Sequence, residues 1–313
     1  MLVVTGACGF IGRNLVFFLN NLGITNIILV DKKKNINLIK KFKYHSYVDN
    51  KFFLKKINNN QNLIKKIKVI FHLGANSSTV EKNLEKVIHD NYIYSKLLVD
   101  FCVNNNIKLI YASSASVYGI KKNNFKEGYN FLPANYYSIS KTLVDLYVLN
   151  ILKVYKNAKL LGLRYFNVYG PGEENKGRMS SIIYKLNKKI ENNEKVSLFR
   201  GYEGFANGEQ NRDFVYIEDC VKINYWFYKN FKSGIVNVGT GRSVTFNKIF
   251  NIIANYHNYK KKIHYIKMPL DLFTAYQNET KANLKKLRKF GYKKSFILPK
   301  EGIKKYLDYF SNN

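Results

Sequence analysis

Cysteine is scarce: Cys8, Cys102 and Cys220 lie far apart with no C-x-x-C pair. Neither a zinc knuckle nor a disulfide framework is supported, and a reducing compartment fits. No apolar run approaches the ~18 residues of a membrane helix. The opening "MLVVTG" reads directly as a strand, with no basic region followed by a cleavable apolar stretch, so the cytoplasm is the expected address. The five histidines, His72 and His264 among them, show no H-x-x-x-H or carboxylate partner pattern. Core or surface roles are expected for them, and no metal. No repeat period is evident, and no low-complexity tail or linker stands apart.

What is present is a chain of 313 residues, 46% hydrophobic and 23% charged, the composition of a soluble globular enzyme with a substantial core. Its formal charge is +31. Such a balance suggests nucleic acid, a membrane surface or an anionic substrate. The lysines, however, are spread over the whole length among Asn, Ile, Tyr and Phe, as in "KKKNINLIKKFK" and "NYHNYKKKIHY". That is the pattern of a general compositional drift, and neither nucleic acid nor membrane is an expected partner.

Leu2 to Thr5 reads as a buried parallel strand, Ile11 to Leu22 as a helix ending at Gly23, and Ile27 to Val30 as a second strand. Further apolar runs at 69–75, 108–115 and 159–170 alternate with helical stretches. This predicts an α/β fold, a Rossmann-type doubly wound parallel sheet with a smaller, mostly C-terminal substrate-binding lobe. After Pro171 the rhythm gives way to Gly-rich, polar stretches. The expected division is a dinucleotide-binding domain over 1–170 and a lobe over 171–313, with a segment near 213–245 returning to the first domain.

Gly6, Gly9 and Gly12 form G-x-x-G-x-x-G between the first strand and its helix. Glycines there let the chain turn tightly and bring backbone N–H groups to a pyrophosphate at the helix N-terminus. Asp31 ends the second strand nineteen residues after Gly12, placed to accept bonds from ribose hydroxyls. Lys32, Lys33 and Lys34 follow at once; they either neutralise a 2′-phosphate, favouring NADP over NAD, or are solvated charge.

"YYSISK" places Tyr137 and Lys141 four apart in a helical pattern, on one face. A tyrosine of pKa ~10 is a poor base at neutral pH, and a nearby ammonium favours its phenolate. The pair can then remove a hydroxyl proton while hydride leaves the same carbon. Ser114, at the end of a strand-like run, is placed to polarise the reacting oxygen.

"TGACGFIG", "FHLGANSS", "YASSASVYG", "YYSISK" and "RYFNVYGP" resemble the successive motifs of the extended short-chain dehydrogenase/reductase family over roughly the first 175 residues. The resemblance implies that Phe10 and Ile11 lie against the cofactor pyrophosphate, that Leu73, Gly74, Ala75, Asn76 and Ser77 line the cofactor groove with Val168, and that Asn91 braces the central helix–strand packing. It also implies that Ser114, Tyr137 and Lys141 are a catalytic triad, Lys141 touching cofactor and Ser114 substrate.

"FNVYGPGEENKGRMSSIIYKLN", "RDFVYIED", "GIVNVGTGRSVTF" and "AYQNETKANLKKLRKFGY" resemble, more narrowly, the ADP-glyceromanno-heptose 6-epimerase family, so that the likeness runs nearly end to end. This resemblance implies an ADP-sugar substrate, a second acid/base at Lys176, substrate contacts at Asn167, Phe199, Arg212 and Tyr276, and a homo-oligomer. Arg178 stands where that family commonly has serine and Lys185 where it has histidine, both on the substrate side. Three alternatives stay open. A 4,6-dehydratase is disfavoured because its Asp-Glu pair is replaced by Ala115 and Ser116. A 4-epimerase of the UDP-galactose type needs only the triad. A non-catalytic NADP- or RNA-binding protein would suit the charge but not the intact triad.

Overall fold

The computed structural model describes residues 1–32, 36–120, 125–270 and 276–311. They divide into two compact units: Met1–Ser114, Tyr136–Arg164 and Cys220–Val236 make the first, and Ala115–Asn135, Tyr165–Asp219 and Asn237–Asn313 the second. The boundaries follow packing rather than chain order. Val117, Tyr118 and Phe125 cluster with Phe166 and Ala282, which puts the stretch after Ser114 in the second unit, although the sequence reading kept it within 1–170. The return to the first unit is Cys220–Val236, narrower than 213–245.

The main sheet contains Leu2–Thr5 (β1), Ile27–Asp31 (β2), Ser46–Asp49 (β3), Val69–His72 (β4), Lys108–Ser114 (β5), Leu160–Tyr165 (β6) and, by chain position, Gly234–Val238 (β10). Its order is β10-β6-β5-β4-β1-β2-β3, and the registers of β3 on β2, β2 on β1, β1 on β4 and β4 on β5 are parallel. Strands buried on both faces need continuous apolar runs, as in LVVT and VIFH, where every residue is buried. Each such Val or Ile contributes roughly 1.5–3 kcal/mol by leaving water. Strand order reverses direction at β1, so the carboxyl ends of β1 and β4 flank the switch point at which such sheets bind ligands.

In the second unit, Asn167–Tyr169 (β7), Asn211–Tyr216 (β9) and Ser243–Thr245 (β11) form a sheet in the order β11-β9-β7, and Ser197–Phe199 (β8) pairs with His264–Ile266 (β12). Because β9 is committed to β7 and β11, residues 213–219 stay in this unit. Among the described residues no helix is long and apolar enough to cross a membrane, and no group of three or more His, Cys, Asp or Glu could hold a metal.

Two buried polar groups of the first unit sit in satisfied networks. The Asp145 carboxylate, fully buried, accepts from Tyr111 Oη (2.8 Å), Ser113 Oγ (2.9 Å) and Arg164 Nε (2.7 Å). His72 bonds Thr5 through Nδ1 (2.7 Å) and Ser95 through Nε2 (2.8 Å). Ser95 spends its hydrogen on the Asn91 carbonyl, so Nε2 carries the imidazole proton and Nδ1 accepts from Thr5.

Burial, with a smaller contribution from the Lys141 charge, pushes His72 from 6.5 down to about 3. The unfolded chain therefore takes up this proton first, so the neutral imidazole's contribution is complete above 6.5 and is lost as pH falls from there towards 3. Unfolding free energy should drop by roughly 2 kcal/mol between pH 7.5 and pH 5 from this group alone. Urea unfolding of the wild type and His72→Gln at both pH values checks this, and equal slopes would remove His72 as the cause.

Candidate active site

The glycine turn sits at the carboxyl end of β1, followed by the helix Phe10–Asn21 (α1). Gly6 has φ +67°, and a Cβ there would lie 2.5 Å from the backbone of Gly74, which follows β4. A Cβ on Gly12 would lie 2.0 Å from the Gly6 carbonyl oxygen. The first position needs glycine for both conformation and space, the second for helix–turn packing. Gly9 caps α1 without a side-chain hydrogen bond, leaving the first-turn N–H groups to an anion.

Asp31 is pinned beside this turn. Its Oδ2 accepts from the Cys8 N–H and its Oδ1 from the Lys32 N–H, each at 2.8 Å. Lys32 itself is exposed and ion-paired with Asp90; Lys33 and Lys34 lie outside the described residues. Of the residues after β4 expected to line the cofactor groove, Leu73, Gly74 and Asn76 are half-buried and Ala75 and Ser77 exposed. Phe10 is buried and Ile11 half-buried at the start of α1.

Asn91 lies in a π-helical turn, Ile88–Ile93, which the sequence pattern did not foretell. Its Oδ1 accepts from Asn76 N (2.7 Å), while its Nδ2 reaches the Asn76 carbonyl and Ser140 Oγ (2.9 Å each). Ser140 in turn donates to the Tyr137 carbonyl at 2.7 Å. One buried amide thus ties the loop after β4 to the helix that carries Tyr137.

That helix, Tyr136–Val154 (α7), packs against β5. Ser114, Tyr137 and Lys141 come together in the first unit. The Ser114 hydroxyl bonds the Tyr137 phenol, and Lys141 Nζ lies 5.9 Å from the Tyr137 ring centre while donating to the Ala112 carbonyl at 2.9 Å. Burial pushes Lys141 down to about 8, opposed by the Asp145 charge. The expectation of a lowered Tyr137 needs correction: burial dominates and raises it, the Asp145 charge adds to this, and the Ser114 hydrogen bond is the counterweight. A carboxylate two turns along the same helix face had no place in the sequence argument.

In the second unit the residues expected on the substrate side form two groups. Arg212, on β9, is buried and stands over the Tyr276 ring at 4.9 Å with a hydrogen bond to its hydroxyl; burial lowers its pKa. Phe199, at the end of β8, meets Tyr276 edge to face at 5.8 Å. Asn167, exposed on β7, accepts from Thr280 Oγ1 at 3.4 Å, and Val168 beside it is half-buried.

The other group surrounds Lys176. Lys185 Nζ donates to the Arg178 carbonyl at 2.8 Å. Lys176 is lowered first by burial and then by Lys185, against the raising effect of Glu173. The neighbouring cation acting on it is thus Lys185; the Arg178 side chain is exposed.

Three features escaped sequence reasoning. Glu173 is fully buried in the turn before Lys176. Asp213 accepts from the N–H groups of Thr240, Gly241 and Ala282 and from Thr240 Oγ1 at 2.7–2.9 Å, which shapes two loops of the second unit. The Asp145–Arg164 pair is the third. Its signal was present as a charged residue within the otherwise apolar "LLGLRY" and an acid on the buried face of α7.

A glycine-turned βαβ unit with an acid at the second strand's end, and a Ser-Tyr-Lys cluster on the same sheet, define a dinucleotide-dependent enzyme of carbinol chemistry. The chain belongs to the NAD dependent epimerase/dehydratase family, whose model matches residues 2–239. It is 41% identical to the ADP-L-glycero-D-manno-heptose-6-epimerase of Brachyspira hyodysenteriae over 98% of this chain and 97% of the relative. The crystal structure of the Helicobacter pylori ADP-L-glycero-D-manno-heptose-6-epimerase superposes with TM-score 0.84 at 30% identity, covering 100% of this chain and 96% of the other. A UDP-N-acetylglucosamine 4-epimerase from Methanobrevibacter ruminantium gives TM-score 0.84 at 27% identity, covering 99% and 98%.

Proposed function

We propose that this chain is an ADP-glyceromanno-heptose 6-epimerase, inverting C6 of the heptose in ADP-D-glycero-D-manno-heptose to give ADP-L-glycero-D-manno-heptose, a precursor for the lipopolysaccharide core, with NADP retained throughout. The observation that carries the reading is the end-to-end identity of 41% to a curated enzyme of that name. Fold alone does not discriminate, since a 4-epimerase superposes equally well.

The residues present fit a dinucleotide. The glycines at Gly6, Gly9 and Gly12 let the turn fold tightly on itself and on Gly74, so that the α1 first-turn N–H groups, with Phe10 and Ile11 at the helix start, would hold a pyrophosphate, and Asp31 beside the turn would hold ribose hydroxyls. When bound, the dinucleotide would supply the hydride acceptor and donor that inversion of the reacting carbon requires. Tyr137 takes the hydroxyl proton, and the Ser114 hydroxyl steadies the oxygen as charge develops. Lys141, mostly an ammonium at neutral pH, supplies positive charge beside the phenol. Lys176 serves as the second acid/base, and Arg212, stacked on Tyr276, is suited to a nucleotide diphosphate or base.

The test is direct. Purified protein is mixed with ADP-D-glycero-D-manno-heptose and, separately, with UDP-glucose, and stereochemistry is followed by NMR. Inversion at C6 of the first substrate is expected; turnover of only the second would overturn the substrate assignment.

Cofactor preference has its own measurement. If Lys32 to Lys34 hold a 2′-phosphate, replacing all three by Ser should weaken NADP by about tenfold or more, as loss of a charge-assisted bond implies, and leave NAD little changed. Equal losses for the two cofactors would count against the phosphate role.

A further inference from the structure

Lys176 sits in a segment whose two flanks are joined by one side chain. The Glu173 carboxylate accepts from Gly170 N (3.2 Å) and Ser181 Oγ (2.8 Å) through Oε1, and from Ser181 N (2.5 Å) through Oε2. The Glu173 carbonyl also accepts from the Lys176 N–H at 2.9 Å. Gly170 follows β7, and Ser181 caps the helix Ile182–Glu191 by accepting from Tyr184 N at 3.1 Å. Residues eleven positions apart are therefore fastened to one carboxylate, and the intervening chain carries Lys176 and Arg178.

A surface staple would not need burial, yet Glu173 has no exposed area. Keeping a carboxylate there costs desolvation, which raises its pKa, and the bonds from Ser181 and Gly170 together with the Lys176 charge pull the other way. The charged and titratable groups acting around this point are Lys176 and Lys185, with Tyr169 and Tyr306 both pushed up partly by Glu173, and Glu174 also acting on Tyr306. An acid among two lysines and two buried phenols is well placed to hold one lysine in a set position and protonation state.

We propose that Glu173 is a positioning residue for Lys176: its buried carboxylate clamps the ends of the Gly170–Ser181 segment and supplies the negative charge that keeps the Lys176 amine in register and protonated between proton transfers. This rests on the reading of Lys176 as an acid/base. The carboxylate has no exposed surface, so its action on the reaction would pass through Lys176. Without its charge the clamp loosens, and the amine, still desolvated and still beside Lys185, gives up its proton more readily.

The experiment uses the full-length protein and two readouts. The first is the rate of acetylation of Lys176 by acetic anhydride as a function of pH, read by peptide mass spectrometry, which needs no turnover. The second is the pH profile of epimerisation. Glu173→Gln keeps the shape and one acceptor but removes the charge; the acetylation midpoint should move to lower pH by roughly one pH unit. kcat should fall while KM changes less than threefold. Glu173→Asp keeps the charge and should return the midpoint towards wild type.

An unmoved midpoint in Glu173→Gln, or equal movement in Gln and Asp, would overturn the electrostatic role. Should Glu173→Gln fail to fold, Ser181→Ala, which removes one donor and keeps the charge, must slow epimerisation without weakening cofactor binding, or the clamp is refuted. If the acetylation midpoint moves as expected while Lys176→Met epimerises normally, the positioning holds and the acid/base reading of Lys176 falls.

Discussion

Tyr137→Phe should give a folded protein that binds cofactor and turns over ~10²–10⁴-fold more slowly, the usual contribution of a positioned acid–base group. The substitution removes one oxygen and keeps the ring, so the packing of α7 on β5 is retained. The oxygen removed is the partner of the Ser114 hydroxyl, in a pocket where burial raises the phenol and Lys141 stands 5.9 Å from the ring. A desolvated phenol is a stronger base once ionised, and the Ser114 hydrogen bond is what pulls against burial towards that ionisation. Cofactor affinity, measured by fluorescence titration, should stay within a few-fold, because the glycine turn and Asp31 are untouched. A wild-type rate in this variant would remove Tyr137 from the mechanism.

Lys176→Met is expected to lower epimerisation by more than ~10²-fold and leave ADP-sugar and cofactor binding nearly intact. Inverting a carbinol carbon with no net oxidation requires hydride to leave and come back to the other face of the ketone. Once the ketone has turned, its oxygen points away from the tyrosine that took its proton. A second proton donor is then needed. Lys176 is half-buried, and its pKa lies below the ordinary lysine value because burial and Lys185 outweigh Glu173. That brings proton exchange nearer to neutral pH. The variant should still pass hydride in one direction when given an analogue with an aldehyde or ketone at the reacting carbon. Epimerisation of ADP-heptose at close to the wild-type rate would defeat the two-base assignment and leave water or Tyr137 serving both faces.

Much of the first unit was legible because its chemistry is local. A parallel strand buried on both faces must be apolar throughout, and a turn at which a Cβ would lie 2.5 Å from a neighbouring backbone must be glycine, so β1, Gly6 and α1 are written in adjacent residues. The four-residue spacing of Tyr137 and Lys141 is likewise a property of one helix. The acidity of Tyr137 was not legible. It depends on Asp145, two turns along the helix, and on how deeply α7 is buried against β5, and neither has a sequence period.

The amino-acid sequence by itself determined the alternating βαβ order, the glycine turn and the four-residue spacing of Tyr137 and Lys141, because each rests on short-range geometry; Asp31 and Ser114 were marked by their places at strand ends, and only the fold brings them to Cys8 and Tyr137. Only the tertiary structure decided where the chain divides. Aromatic packing of Tyr118 and Phe125 on Phe166 carries 115–135 into the second unit, and the pairing of β9 with β7 and β11 limits the return to Cys220–Val236. It also decided the surroundings of the candidate groups. The π-helical turn that aims Asn91, the Arg164 that neutralises Asp145, and the Glu173 that holds Ser181 join residues from 8 to 49 positions apart. Contacts at such separations are set by burial and hydrogen-bond satisfaction across the fold, where an unpaired buried charge or amide costs more than any local preference returns.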